Sequence, residues 1–405
     1  MNFPSAVYEL ETSTGSVYGA EEEQALLEAF RAGAVSCGPK VIEFERAFAG
    51  YCGVDHAIAV TSATAGLYLA MQALDLGPGD EVITTPLSWV STANAAAAAG
   101  ATVIFADVDP RTLNLAPASV AAKVTPRTRA IVPVHLYGQC CDMEALMEIA
   151  RPRGITVVED CAHAAGASRN GRLAGSLGDV GVFSFHQQKN MSTLGEGGMI
   201  TTGDPHLYDR MFGMRSHLAR AYGARRKYLS FDENMRPMGK QYWWFDFDGV
   251  AGNYRMIDVQ AAVGLVQLRK LDSLNARRRE IAARYTAGLR GIPGLTLPWT
   301  APRNRHAFHI YAVQVEPEFG MTKEEFMWEM YTGRRIRVWQ HYIPIHLTTA
   351  WRKMGHGEGE CPVAERAFSK YVSLPLHPRL TDEAVEYLIG SVHQVAAAQP
   401  AGAHV

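Results

Sequence analysis

The sequence is short of several features, and each shortage excludes a class of protein. Six cysteines in 405 residues (Cys37, Cys52, Cys140, Cys141, Cys161 and Cys361) form no CxxC pair and no zinc-like spacing with histidine. So few thiols in so long a chain read as reduced and cytoplasmic, not as a disulfide framework. Net charge is nearly balanced at −2, so neither nucleic acid nor an anionic membrane is favoured as a partner. No apolar run reaches membrane-spanning length, the Ala-rich Ala93–Ala99 included. Met1–Gly15 lacks the basic patch and apolar run of a signal peptide. Neither GxGxxG nor GxxxxGK(S/T) occurs, which removes the usual dinucleotide and nucleoside-triphosphate loops.

What is present is ordinary in bulk and specific in pattern. Hydrophobic residues make up 47% and charged residues 20%, as in soluble globular proteins. The length exceeds what one hydrophobic core supports, so more than one domain is expected. Helices are predicted between Tyr18 and Tyr51, broken at Ser36-Cys37-Gly38-Pro39. Strands are predicted at His56–Val60, Glu81–Thr85, Thr102–Val108, Ala130–Leu136, Ile155–Glu159, Val180–Phe185 and Gly198–Thr202. Amphipathic segments such as Ala65–Leu74, Pro117–Lys123 and Met143–Arg151 separate them. Strands alternating with helices predict an α/β fold, a mostly parallel sheet flanked by helices. Periodicity fades from Met211 to Asn253, then returns as a long helix over Asp258–Gly288. The expected organisation is an N-terminal helical segment (1–35), a large domain (36–288) and a smaller α+β domain (289–405).

In such sheets ligands bind beyond the carboxyl ends of the strands, so the chemistry is sought there. Of nine lysines only Lys189 follows a buried-type strand, Val180–Phe185. A lysine at the mouth of a parallel sheet is placed to form a Schiff base with a carbonyl cofactor. The apolar run Ile155-Thr156-Val157-Val158 ends in Glu159-Asp160, with His163 close behind. A carboxylate there holds a pyridine nitrogen protonated, or else merely caps the following helix. Asp160, at the exit of the strand, is the better candidate. Thr61-Ser62-Ala63-Thr64 is a strand-to-helix turn of small hydroxyl residues, suited to a phosphate or to plain helix capping. Trp89 follows the next strand and is either a ring stacker or core. These segments follow strands of one sheet in the order phosphate cup, ring stacker, ring-nitrogen acid and lysine.

With those residues in view, the chain resembles the DegT/DnrJ/StrS family of sugar aminotransferases, within the fold type I pyridoxal-phosphate enzymes. The resemblance runs from about Gly15 to about Ser391. It includes Val132–Gln139, Glu159–Gly166, Phe183–Gly198, Gly252-Asn253-Tyr254-Arg255-Met256, His341-Tyr342-Ile343-Pro344 and Leu374-Pro375-Leu376-His377. It implies that Lys189 carries pyridoxal 5'-phosphate and shuttles the proton, and that Asp160 pairs with the ring nitrogen. It further implies that Trp89 stacks, His163 lies near the phenolic oxygen, and Ser62, Ala63, Thr64 and Ser184 hold the phosphate. Asn253 would reach that phosphate from a partner subunit, implying a homodimer with shared active sites. His341 and Tyr342 are the substrate-side candidates from the resemblance; Arg215, His217, Arg220, Arg225, Arg226 and Lys227 cluster near the aperiodic loop and either meet a diphosphate of the substrate or form a solvated basic patch. Ala63 and His163 stand where family members often have Gly and Gln; neither change removes a needed group. The implied reaction moves nitrogen from glutamate or glutamine, through pyridoxamine 5'-phosphate, to a nucleotide-linked keto-sugar or an inosose-type cyclitol. Antibiotic amino-sugars, aminocyclitols and surface glycans all stay open as products. The alternatives are a dehydratase or lyase on the same scaffold, and a non-catalytic regulatory protein that binds the cofactor. A lysine at 189, where the dehydratase branch has histidine, favours amino transfer.

Overall fold

A computed structural model shows how these segments pack; it describes residues 15–33, 36–221, 228 and 245–398. The chain enters through α1 (Ala20–Arg31) and α2 (Pro39–Cys52), the latter opened by Pro39 and closed at Gly53 with φ 72°. It then alternates through β1 (His56–Val60), α3 (Ala63–Ala73), β2 (Glu81–Thr84), α4 (Ser91–Ala98) and β3 (Thr102–Phe105). Next come α5 (Pro117–Lys123), β4 (Thr128–Val132), α6 (Met143–Ala150) and β5 (Thr156–Asp160). A short hairpin, β6 (Ser168–Arg169) with β7 (Arg172–Leu173), precedes β8 (Val180–Ser184), β9 (Gly198–Thr202) and α7 (Pro205–Met214).

Seven of these strands make one sheet in the order β1-β9-β8-β5-β4-β2-β3. Pairing is parallel from β8 to β3, while β9 runs antiparallel to both its neighbours. Side chains alternate across the sheet. Val60, Val158, Val182 and Ile200 join one apolar cluster with α3, α4 and α7. Ala59, Val157, Phe183 and Met199 join the other, with α2, α6 and the long helix Asp258–Leu289. Both faces are covered, which is why these strands read as nearly continuous apolar runs.

Two predicted strands stop short. The regular part of β4 ends at Val132, where Pro133 has no N–H to offer, although its carbonyl still accepts from the Asp160 N–H at 2.8 Å and Val134 still bridges to Asp160. The β3 strand ends at Phe105, and Asp107 beyond it accepts from the backbone N–H groups of Val363 (2.8 Å) and Ala364 (2.9 Å). The stretch that lost periodicity contains the end of α7 and a two-stranded ribbon, β10 (Ala219–Ala221) with β11 (Phe245–Phe247). Arg225, Arg226, Lys227 and Tyr242-Trp243-Trp244 lie outside the described residues.

A third apolar cluster gathers the end of the long helix (Ile281, Tyr285, Leu289) with strands Tyr311–Val315 and Tyr371–Leu374 and helix Asp382–Ala397. Arg278 lies between this cluster and the sheet, buried and with no carboxylate partner among the described residues. Its guanidinium donates to the carbonyls of Phe308 (3.1 Å), His309 (3.2 Å), Leu376 (3.0 Å) and Gly15. That arrangement ties the start of the described chain to both sides of the cavity described next.

Candidate active site

The carboxyl ends of β1, β2, β5 and β8 open into one cavity of about 640 Å³. Its lining includes Ser62, Ala63 and Thr64 after β1, Ser88 and Trp89 after β2, Asp160 and His163 at the end of β5, and Ser184 and Lys189 at the end of β8. Strand alternation separates the two acids of β5. Asp160 shares the face of Val158 and meets the cavity. Glu159 shares the face of Val157 and is consumed by structure, accepting from His135 Nε2 (2.7 Å) and from the N–H groups of Gly175, Leu177 and Gly178 (3.0, 2.8 and 2.7 Å).

Asp160 is buried, and burial raises its carboxyl pKa. Two donors oppose that shift and favour the anion: Thr92 Oγ1 at 2.7 Å and the Ala162 N–H at 3.0 Å. Thr92 spends its one proton on Asp160, so the Ser88 hydroxyl, 2.8 Å away, donates to Thr92. Lys189 is half-buried on the neighbouring strand's exit. Burial lowers its pKa to about 8, although the charge of Asp160 pulls the other way. The two groups therefore sense each other across the cavity floor.

At the β1 corner, Ser62 caps α3 by accepting from the Ala65 N–H at 3.1 Å. That geometry turns the first N–H groups of the helix toward the cavity, with the Thr64 and Ser184 hydroxyls beside them. Antiparallel β9 presses on this corner. A Cβ on Gly198 would lie 2.6 Å from the Ser62 carbonyl carbon and 2.8 Å from the Ala63 nitrogen. The result is a cradle of amide and hydroxyl donors at one end of the floor, and a carboxylate with an amine at the other.

The sequence pattern of the DegT/DnrJ/EryC1/StrS aminotransferase family matches residues 17–393. The chain belongs to that family. It is similar to the spore coat polysaccharide biosynthesis protein SpsC of Bacillus subtilis, 41% identical, with 93% of this chain and 95% of the relative covered. It is also similar to GDP-perosamine synthase of Caulobacter vibrioides, 39% identical over 89% and 91% of the two chains. Among solved structures, the aminotransferase TlmJ from Streptoalloteichus hindustanus superposes with a TM-score of 0.86 at 36% identity, covering 96% of this chain and 99% of that one.

The aminotransferase adds a second wall to its cavity from the C-terminal part of the chain. His341 and Tyr342 line it. The Tyr137 N–H donates to His163 Nδ1 at 3.3 Å, so the neutral ring carries its proton on Nε2 and donates to the Tyr342 oxygen at 3.0 Å. Burial, reinforced by the charge of Lys189, holds the His163 pKa well below its ordinary value and keeps the ring neutral. Both imidazole nitrogens are thus engaged by protein. Trp89 is 63% exposed, leaving its ring open to a planar ligand, with the Tyr342 ring 6.2 Å away.

Three candidates do not line the cavity. Arg215 is fully buried and fixed in an ion pair with Glu45, donating also to the Ala59 carbonyl at 3.1 Å, so the expected substrate contact is corrected to a structural one. His217 is exposed at φ 62°, its Nδ1 near the Ala251 carbonyl at 3.4 Å, and within this chain it meets no cavity residue. Asn253 is exposed, bridged through its backbone to Ser216. Arg220, in the same segment, is paired with Asp246 (3.0 Å) and Asp248 (2.8 Å).

Sequence reasoning also missed lining residues. Thr92 sits inside α4 three residues after Trp89, and only the fold brings it to Asp160. The His309 ring lies tilted against His163 at 4.5 Å and donates from Nδ1 to Oδ1 of Asn190 at 3.1 Å, next to Lys189 in sequence. No local pattern marks either residue. Arg337 and Trp339 also line the cavity, at its outer edge.

Proposed function

We propose that this aminotransferase carries nitrogen from glutamate or glutamine to the ketone of a nucleotide-linked sugar, with pyridoxal 5'-phosphate as cofactor. The observation that carries the reading is that Lys189 and Asp160, which follow and end two adjacent strands, line one cavity and feel each other's charge. The donor set supports the cofactor. A helix N-terminus with two hydroxyls suits a phosphate dianion, and a buried carboxylate suits a protonated ring nitrogen. The Streptococcus pneumoniae protein Spr1654, 28% identical with a TM-score of 0.84, has been solved in its PLP form. The names of relatives that make GDP-perosamine and a dTDP-linked amino-sugar support the substrate class.

Bound pyridoxal phosphate supplies an electron-withdrawing ring and a reactive carbonyl carbon. Lys189 would anchor it, and the free Lys189 amine would be the base that moves a proton from the amino donor's α-carbon. Its depressed pKa leaves a share of the amine neutral near neutral pH, as a base requires. Asp160 sustains positive charge at the ring nitrogen, and Thr92 orients that carboxylate. Ser62, Ala63, Thr64 and Ser184 would hold the phosphate, and Trp89 would stack on the ring. The catalytic unit is a homodimer, in which Asn253 of the partner subunit completes the phosphate site. The small C-terminal domain, 289–405, presents His341 and Tyr342 to the sugar.

The test is spectroscopic. Cofactor-loaded protein has a visible absorbance band that glutamate or glutamine bleaches. Lys189→Ala slows that bleaching on the order of 10²–10⁴-fold. Bleaching at the wild-type rate in Lys189→Ala would overturn the assignment of the base.

A further inference from the structure

An unbroken series of rings and one guanidinium leads from the outer surface into the cavity. It begins on helix Lys323–Thr332, where Trp328 and Tyr331 stand three residues apart on one face, 67% and 45% exposed, with ring centroids 6.4 Å apart. The Arg337 guanidinium lies 5.7 Å from the Tyr331 ring and 5.8 Å from the Trp339 ring. Trp339 is 6.5 Å from His341, and His341 is 4.9 Å from Tyr342. Tyr342 faces Trp89 over the cavity floor.

The backbone makes this row a fixed ledge. Residues 336–339 alternate like a strand, with Ile336 and Val338 buried in the third apolar cluster and Arg337 and Trp339 turned outward. Trp339 exchanges two backbone hydrogen bonds with Ser373, 3.0 and 2.7 Å, which sets the register against strand Tyr371–Leu374. On the helix, Phe326 and Met330 go to the core and so hold Trp328 and Tyr331 to the outside.

We propose that this ledge is the recognition site for the nucleoside diphosphate of the sugar substrate. The inference rests on the amino-transfer reading of the same cavity and names the part of the substrate that lies outside its floor. The order of chemistry along the ledge matches the order of groups in such a molecule. The reacting sugar lies against Tyr342, His341 and Trp339, whose faces suit apolar C–H surfaces. The diphosphate meets the Arg337 guanidinium, whose planar fork suits paired phosphate oxygens. The base stacks beyond it on Tyr331 and Trp328, a contact available to any base because each has a π-face.

Titration calorimetry of the cofactor-loaded enzyme with dTDP, GDP, UDP and inorganic pyrophosphate tests the ledge. At least one nucleoside diphosphate is expected to bind and to perturb tryptophan fluorescence. Arg337→Ala weakens both that nucleotide and pyrophosphate about tenfold. Tyr331→Ala and Trp328→Ala weaken the nucleotide several-fold and leave pyrophosphate unchanged. Nucleotide affinity unaltered by Arg337→Ala overturns the proposal. So does a loss in the aromatic variants that size-exclusion chromatography traces to a changed oligomeric state, because the ledge is then a subunit contact. Wild-type enzyme that binds nucleotide but whose visible band no amino donor bleaches refutes the amino-transfer reading and leaves the ledge standing.

Discussion

Asp160 and Arg215 are both buried charges, and they sit in regions that treat charge in opposite ways. Asp160 ends a parallel strand and faces an open cavity; burial raises its pKa, while Thr92, the Ala162 N–H and the charges of Lys189 and His135 favour the anion. Arg215 ends α7 on the far side of β1, where Glu45 and the Ala59 carbonyl close around it. A buried charge with a cavity in front of it is available to a ligand, whereas one already met by its counter-ion is part of the frame. The same contrast divides the Lys189 loop from the Arg215–Asn253 segment, whose Arg220 is likewise paired.

The largest expected effect breaks the contrast at its structural end. Arg215→Ala strands Glu45 beside the core and costs about 3–5 kcal/mol of stability, read by urea denaturation. A loss below about 1 kcal/mol would mean that the pair does not hold the frame. At the chemical end, Thr92→Val keeps shape and removes the hydroxyl on Asp160, at about 1–2 kcal/mol. The lost hydrogen bond had lowered the Asp160 pKa, so the acidic limb of the pH–rate profile moves upward. An unmoved limb would show that Thr92 does not tune this carboxylate. A smaller effect follows from Lys189 itself. Burial lowers its pKa and the charge of Asp160 opposes this, so the neutral amine accumulates as pH rises. Uptake of pyridoxal phosphate by the apoprotein should therefore climb with pH and level off above about 8, followed by absorbance. A rate still climbing at about pH 10, near the ordinary lysine value, would place Lys189 in a solvated setting.

Much of the floor was legible because its residues sit at the ends of apolar runs, and a run covered on both faces announces where a parallel strand stops. Lys189, Asp160 and Ser62–Thr64 were found that way, and alternation along β5 explains why Asp160 meets the cavity while Glu159, on the opposite face, does not. Arg215 was misread because basic residues in a stretch without periodicity look like surface, and composition does not report a carboxylate 170 positions away in sequence. Thr92, His309 and Arg337 were invisible for a related reason. Each owes its place to long-range packing, between α4 and β5 or between the C-terminal strands and the sheet, and none stands in a local motif.

The pressure of Gly198 on the Ser62–Ala63 backbone has a consequence for how such an enzyme is retargeted. A side chain at 198 would displace the start of α3 and, with it, the donor cradle, so the floor offers few tolerated substitutions. The outward side chains of residues 336–339 press on no such turn, and the segment is secured by buried Ile336 and Val338 and by the Trp339–Ser373 backbone pair. New substrates are therefore reached by variation at the rim, over a base that stays the same.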